Sequence, residues 1–556
     1  MTAWAHIRRL GAIAALISVF ALPGQAAPYG GPTPPGPEKP KPDRLRLAAE
    51  KAEKAGDWEA AFNAYCHLFV LDRSSPEIRD RLNAALRRVQ QLRRHRDPSF
   101  QQFASGMTLG NGLDLFAEVV QKVPAVYADK DKAAPQNLWY SAVEELDRAL
   151  AHATFRRAFL DNPRADRVEA FRTALRDDWG KRAVKNSSEA RSSLRELIAA
   201  AQDSFAVRVP AALAVEAASG ACSGLDEYTI FLTPSAVGEA AAAPDLTAAG
   251  LYLAVENKEL VIDGVVANSW AQLSFPGVKR GQRVTRLNGR DMTGAGLAGA
   301  AAALRNPVKG FHQLDLDGED GPLFVEIPVA IPSVYGTSMV PGRPVGYVRI
   351  GSFQPTTPRE LDDAINVLKG SQAQAIILDL RGNHGGSFLA AVETARRLLP
   401  AGVIVTTQGQ VSEVANQVFT STSGMGAHDI PVVLLIDTET ASAAEVLAAA
   451  LKDNGRADIV GMPSFGKGTV QYPLRLVTLD DADPAAGKKA HKSGTVRLTI
   501  AKLIAPTSGP ISGVGISPDV FEADPRQQRY KAEERAEQRA EERLGSPMPP
   551  PNVMKP

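Results

Sequence analysis

Two cysteines, Cys66 and Cys222, are all that this 556-residue chain carries. A single pair cannot build a disulfide framework, and two thiols are too few for a cysteine-based metal site. No His/Glu cluster falls at zinc-like spacing, so no metal or other cofactor is expected. Charge of neither sign dominates: 63 Lys+Arg stand against 62 Asp+Glu. That balance leaves no electrostatic footprint for nucleic acid. The apolar run near the N-terminus, Leu10 to Leu22, is shorter than the about 20 residues a bilayer span needs. Arg8 and Arg9 precede it and Pro23-Gly24-Gln25-Ala26 follows. It therefore reads as a secretory leader over residues 1–26, with small residues at Gly24 and Ala26 for cleavage. No cysteine follows to accept a lipid. Export to the periplasm or cell envelope is expected, with membrane association if the leader stays uncleaved.

The length suggests three or four domains, at about 100–200 residues each. Residues 27–43 are a Pro/Gly-rich linker. In residues 44–96, Ala48, Ala52, Gly56-Asp57-Trp58, Ala61, Tyr65 and Pro76 fall roughly as in a tetratricopeptide unit. One copy does not make an array, which needs about three, so an ordinary helical hairpin stays open. Residues 97–240 read as a helical N-terminal domain, with Asp97 to Ala217 mostly helical in pattern, including Leu138 to Ala151 and Asp166 to Leu175. They carry no evident chemistry and would enclose or gate a site. Residues 241–332 alternate short strands and turns. From 333 to 525, strands alternate with helices, which implies an α/β sheet. In 526–556, Arg526 to Arg543 reads as a charged, solvated helix, followed by a tail expected to be disordered.

Chemistry concentrates in two short segments, Ala441-Ser442-Ala443-Ala444-Glu445 and Ser464-Phe465-Gly466-Lys467-Gly468-Thr469-Val470-Gln471. Pro431 to Ile436 reads as a buried strand and Ala443 to Leu451 as a helix. Ser442 then sits where strand passes to helix. The free N–H groups and positive dipole end of that helix would stabilise an oxyanion. A serine hydroxyl needs a base, and lysine serves if burial lowers its pKa from about 10.4. Ala457 to Val460 and Thr469 to Val477 read as further strands. If the second begins as early as Lys467, Lys467 and Gln471 share a face and Gln471 orients the amine. The plain alternative is that Ser442 only caps a helix and Lys467 only occupies a turn. Asp453 reads as a polar helix end before Asn454-Gly455.

These segments, with Leu378-Asp379-Leu380-Arg381-Gly382-Asn383-His384-Gly385-Gly386 and Gly513-Val-Gly-Ile-Ser-Pro-Asp519, resemble the carboxyl-terminal processing (tail-specific) proteases of the S41 type. The resemblance runs from about Leu225 to Val520. It implies Ser442 as nucleophile, Lys467 as base and Gln471 as its assistant. The N–H of Ala443 and one from the Gly385-Gly386 turn would form the oxyanion hole. Two departures stand out. Thr440 and Ala444 occupy places where the family usually repeats serine, which singles out Ser442. His384 replaces a proline in the glycine turn and offers a competing base.

Gly250 to Leu253, Leu260 to Ile262, Val278 to Val284, Leu287-Asn288-Gly289 and Leu323 to Ile327 resemble a PDZ domain. Its carboxylate carrier would be Ala249-Gly250-Leu251, with Gln282 where the family usually has Asp. The alternative is a small β domain that braces the core. The resemblance thus implies a multidomain chain: a helical N-terminal region, a β-rich PDZ-like domain, and an α/β core with a ClpP/crotonase-like arrangement. Its partners would be protein or peptide substrates with exposed C-termini, plus an adaptor or envelope partner at the N-terminal helical segment. A non-catalytic envelope scaffold on the same fold is the alternative from another class. A hydrolase of small acyl substrates is a third, against which the PDZ-like segment argues.

Overall fold

The computed structural model describes residues 42–544 except 73–74, 235–245, 257–258, 266–268, 319–320, 412–413, 425–426, 481–491 and 523–524. The expected leader, nearly all of the linker and the final tail lie outside the described residues.

The α/β region is organised around one parallel run. Strands Val345–Ile350, Ala375–Asp379, Val432–Ile436 and Ala457–Gly461 pair side by side in parallel. Val520–Phe521 closes one edge in parallel and Val334–Met339 the other antiparallel. All residues of Ala375–Asp379 and Val432–Ile436 are buried, as expected of strands covered on both faces. Helices Thr357–Gly370, Phe388–Leu398 and Ala443–Asp453 cover one face. Helix Ala443–Asp453 is apolar nearly all round, with residues 443–451 buried. A helix of that kind must lie inside the protein. Its other side meets a second sheet, in which Thr495–Ala505 pairs with Ile230–Leu232, Gly402–Gly409, Thr469–Arg475 and Gly509–Pro510.

The far side of that second sheet joins the helical region. Leu476, Val496 and Leu498 share a core with Phe100, Phe116, Trp139, Phe155 and Leu213. Ile230–Leu232, beyond the helical stretch and near the end of residues 97–240, is a strand of this sheet. Segment 44–96 forms three helices, Pro42–Ala55, Trp58–Leu71 and Pro76–Arg96, around Ala49, Ala61, Tyr65 and Leu68.

Residues 246–331 have a core of their own, including Leu260, Ile262, Leu287, Leu314 and Ile327. Their strand order is Leu251–Glu256, Glu259–Val265, Arg283–Leu287, Phe311–Asp317, Leu323–Pro328, so among the described residues Leu251–Glu256 is an edge. Helix Gly296–Leu304 packs beside that edge.

One expectation is corrected. Helix Pro525–Glu542 is docked rather than solvated: Ala536 and Ala540 are fully buried against Val345, Ile377 and Val433. Alanines four apart share one helix face, and that narrow face suffices to dock it. Glu533 pairs with Arg381 at 2.7 Å and Glu541 with Arg343 at 2.6 Å.

Candidate active site

In open α/β sheets, ligands gather beyond the carboxyl ends of adjacent strands. Here those ends are turn 381–386, after Ala375–Asp379, and turn 437–441, after Val432–Ile436. One aspartate joins them: Asp437 Oδ1 accepts from the N–H groups of Gly382, Glu439 and Thr440, each at 3.0 Å. Thr440 Oγ1 donates to Leu380 O at 2.9 Å, and Ala441 N–H donates to Asn383 O at 2.9 Å. Ser442 follows with φ 59°, ψ −118°. Positive φ is uncommon for a residue with a Cβ and carries a cost the surroundings must impose. Its effect is a sharp elbow ahead of helix Ala443–Asp453. Ala443 opens that helix, where N–H groups have no intrahelical acceptor.

Gly385 is pressed against the elbow. A Cβ there would lie 2.8 Å from Ser442 Cβ and 2.9 Å from Ala443 N, and its φ is +100°. The Gly385 N–H, however, donates to Asn383 Oδ1 at 2.8 Å, while its carbonyl accepts from Phe353 N at 2.8 Å. Gly385 therefore supplies proximity, and of the two glycines expected to donate to an oxyanion only Gly386 is left to do so. His384 is exposed.

Glu445 ties the serine to the lysine. It is buried, and its Oε2 accepts from Ser442 N and Lys467 N, both at 2.8 Å. Its Oε1 accepts from Gly466 N at 2.6 Å and from Ser464 Oγ at 2.5 Å. Burial pushes its pKa up, opposed by those same hydrogen bonds. Lys467 as a residue is half-buried, with its amine on the buried side. Burial, reinforced by the nearby Arg497 and opposed by Glu445, lowers the amine to about 8. Its Nζ stands 5.3 Å from the Tyr228 ring centroid. A ring face favours the ammonium form, so that contact works against the lowering. Arg497 Nε donates to Tyr228 O at 3.2 Å.

Gln471 is not where a strand starting at Lys467 would put it. The strand starts at Thr469, and its register slips between Val470 and Gln471. Gln471 Nε2 donates to Thr469 Oγ1 at 2.7 Å, and among the described residues no hydrogen bond joins it to Lys467. Asp453 ends its helix and accepts from the N–H groups of Thr507 and Ser508, each at 2.8 Å.

In the β-rich body, the N–H groups of Ala249 and Leu251 both donate to Leu246 O, at 3.0 and 3.1 Å. Among the described residues, no backbone hydrogen bond is recorded for the N–H of Gly250, at φ +85°, the third residue expected to cradle a carboxylate. Gln282 is buried; its Oε1 accepts from Lys279 N at 2.8 Å and its Nε2 donates to Gly277 O at 3.1 Å, closing the loop there.

Sequence reasoning assigned no role to Glu445, Tyr228 or Arg497. Only Glu445 had a local signal, the Ser-x-x-Glu spacing of a capping box.

Residues 344–521 match the model of peptidase family S41. A carboxyl-terminal-processing protease of Picosynechococcus sp. is 30% identical over 304 residues, 53% of this chain and 69% of that one. One from Synechocystis sp. is 29% identical over 363 residues, 63% of this chain and 75% of that one. Among solved structures, a photosystem II D1 C-terminal processing protease aligns at 22% identity and TM-score 0.38, over 74% of this chain and 93% of that one.

Proposed function

This chain belongs to peptidase family S41 and is a serine-type peptidase, and on that premise we propose that it is a tail-specific endopeptidase of exported proteins working through Ser442 and Lys467. Lys467 takes the Ser442 proton as Oγ attacks the peptide carbonyl. The resulting oxyanion meets the N–H groups of Ala443 and Gly386. Collapse expels the amine with a proton from Lys467 and leaves an acyl-enzyme. Water, deprotonated by the same lysine, then releases the acyl fragment. The observation that carries this reading is the shared acceptor: one buried carboxylate oxygen holds both Ser442 N and Lys467 N, beside an amine lowered to about 8. Gln471 acts on the lysine indirectly, by fixing Thr469 at the start of the strand that follows.

The β-rich body selects the substrate. An extended tail adds as a strand to the free edge Leu251–Glu256, beside helix Gly296–Leu304, with its carboxylate at the Gly250 N–H. Binding there activates cleavage. The residues 1–26 leader takes the protein to the envelope. The test is a pair of unfolded substrates differing only in a free or amidated C-terminus. A free carboxylate should be cleaved faster by wild type, and Gly250→Val should erase the difference. Equal rates with equal affinity in wild type would leave a general endopeptidase.

A further inference from the structure

Helix Pro76–Arg96 reaches, from outside the peptidase core, the turn that backs the lysine loop. Its C-terminal half is pinned. Arg94 pairs with Glu145 at 2.8 Å and with Glu216 at 2.9 Å, and Gln91 Nε2 donates to Glu216 at 2.8 Å. Glu145 and Glu216 are both buried. Moving this helix would strand buried charges, so it holds a fixed place against helices Pro135–Ala151 and Pro210–Ser223.

Arg79 lies near the opposite end of the same helix, about 22 Å along its axis from Arg94. Its Nη1 donates to Gly513 O at 3.4 Å, and a Cβ on Gly513 would come within 2.6 Å of that nitrogen. The guanidinium therefore lies directly on the glycine. Gly513 belongs to turn 511–515, which stacks backbone against backbone on the lysine loop. Gly513 N–H donates to Gly466 O at 2.8 Å, and a Cβ on Gly466 would lie 3.1 Å from Gly515 N. On its other side the loop is held by Glu445. Lys467 thus sits between one buried carboxylate and one turn, and Arg79 covers the outer side of that turn.

We propose that Arg79 is a positioning residue for Lys467: it braces turn 511–515 and thereby holds the Gly466–Gly468 loop from a helix outside the peptidase core. This rests on Lys467 being the base, as read above.

The full chain carrying Arg79→Ala or Arg79→Lys tests it, with kcat and KM on an unfolded protein and amide hydrogen exchange of residues 464–468. Arg79→Ala should lower kcat about fivefold, the loss expected for one net hydrogen bond, at unchanged KM. Exchange in 464–468 should quicken by a similar factor. Arg79→Lys keeps a donor for the Gly513 carbonyl and should restore most of both. Unchanged kcat and exchange in Arg79→Ala would overturn the brace, as would a loss carried by KM or by unfolding that lysine does not rescue. The exchange needs no turnover. If Lys467→Ala kept full activity, the base assignment would fall and the proposal with it, while quickened exchange would still show that Arg79 holds the loop.

Discussion

Glu445 accepts the backbone N–H of Lys467 at 2.8 Å, on the same carboxylate oxygen that holds Ser442. The proposed nucleophile and base belong to different segments of the chain, and this acceptor fixes one against the other. Glu445→Gln leaves an acceptor on one side only and turns donor against donor on the other. Unfolding free energy should fall by about 1–3 kcal/mol, and kcat should fall about tenfold or more with KM little changed. Denaturant melts beside steady-state kinetics check this. A kcat equal to wild type in the folded variant would mean that the serine and lysine are aligned by something else.

The pH profile follows from the amine. Lys467 must be neutral to take a proton, and its pKa is lowered to about 8 by burial. The rate should rise with pH through about 8 and fall about tenfold per unit below it. Arg497 is the second cause of the lowering, so Arg497→Gln should move the rise to higher pH and reduce activity at pH 7. The same shift acts on stability. The folded pKa lies below the unfolded one, so the cost of burying the ammonium is full below about pH 8. It is relieved as pH rises from there toward about 10.4. Lys467→Met should therefore stabilise the fold most at neutral pH, by an amount that shrinks as pH rises through that window. Melting curves of both proteins at pH 7 and pH 10 decide it.

Much of this site was legible in the sequence because its signals are local. The run Pro431 to Ile436, the turn after it and the alanine-rich stretch beyond already place Ser442 between a strand and a helix. Lys467 between two glycines already marks a loop. The rest depended on partners remote in the chain. A strand start at Thr469 and a register slip after Val470 cannot be read from alternation, so the condition that puts Gln471 on the face of Lys467 is not one the sequence can settle. Asn383 Oδ1 takes the Gly385 N–H, which no glycine motif reveals. Burial of Ala536 and Ala540 needed the sheet they pack on; the charged residues around them suggested only solvent.

Gly385→Ala tests the elbow. The added methyl would meet Ser442 Cβ and Ala443 N, in a backbone conformation at φ +100° that suits glycine. Displacing Ala443 N should cost about 10²–10³ in kcat, as for loss of one oxyanion donor. Acylation kinetics with an active-site serine probe would show it, and an unimpaired rate would place the oxyanion elsewhere.

The most direct test compares turnover of an unfolded substrate by wild type, Ser442→Ala, Lys467→Ala and the double variant, each shown to be folded. The account expects each single change to remove cleavage to the assay floor and the double change to cost no more than either, because neither residue acts without the other. Lys467→Arg should fail as well, since a guanidinium does not surrender its proton. Substantial cleavage by Lys467→Ala would contradict the account and turn attention to His384.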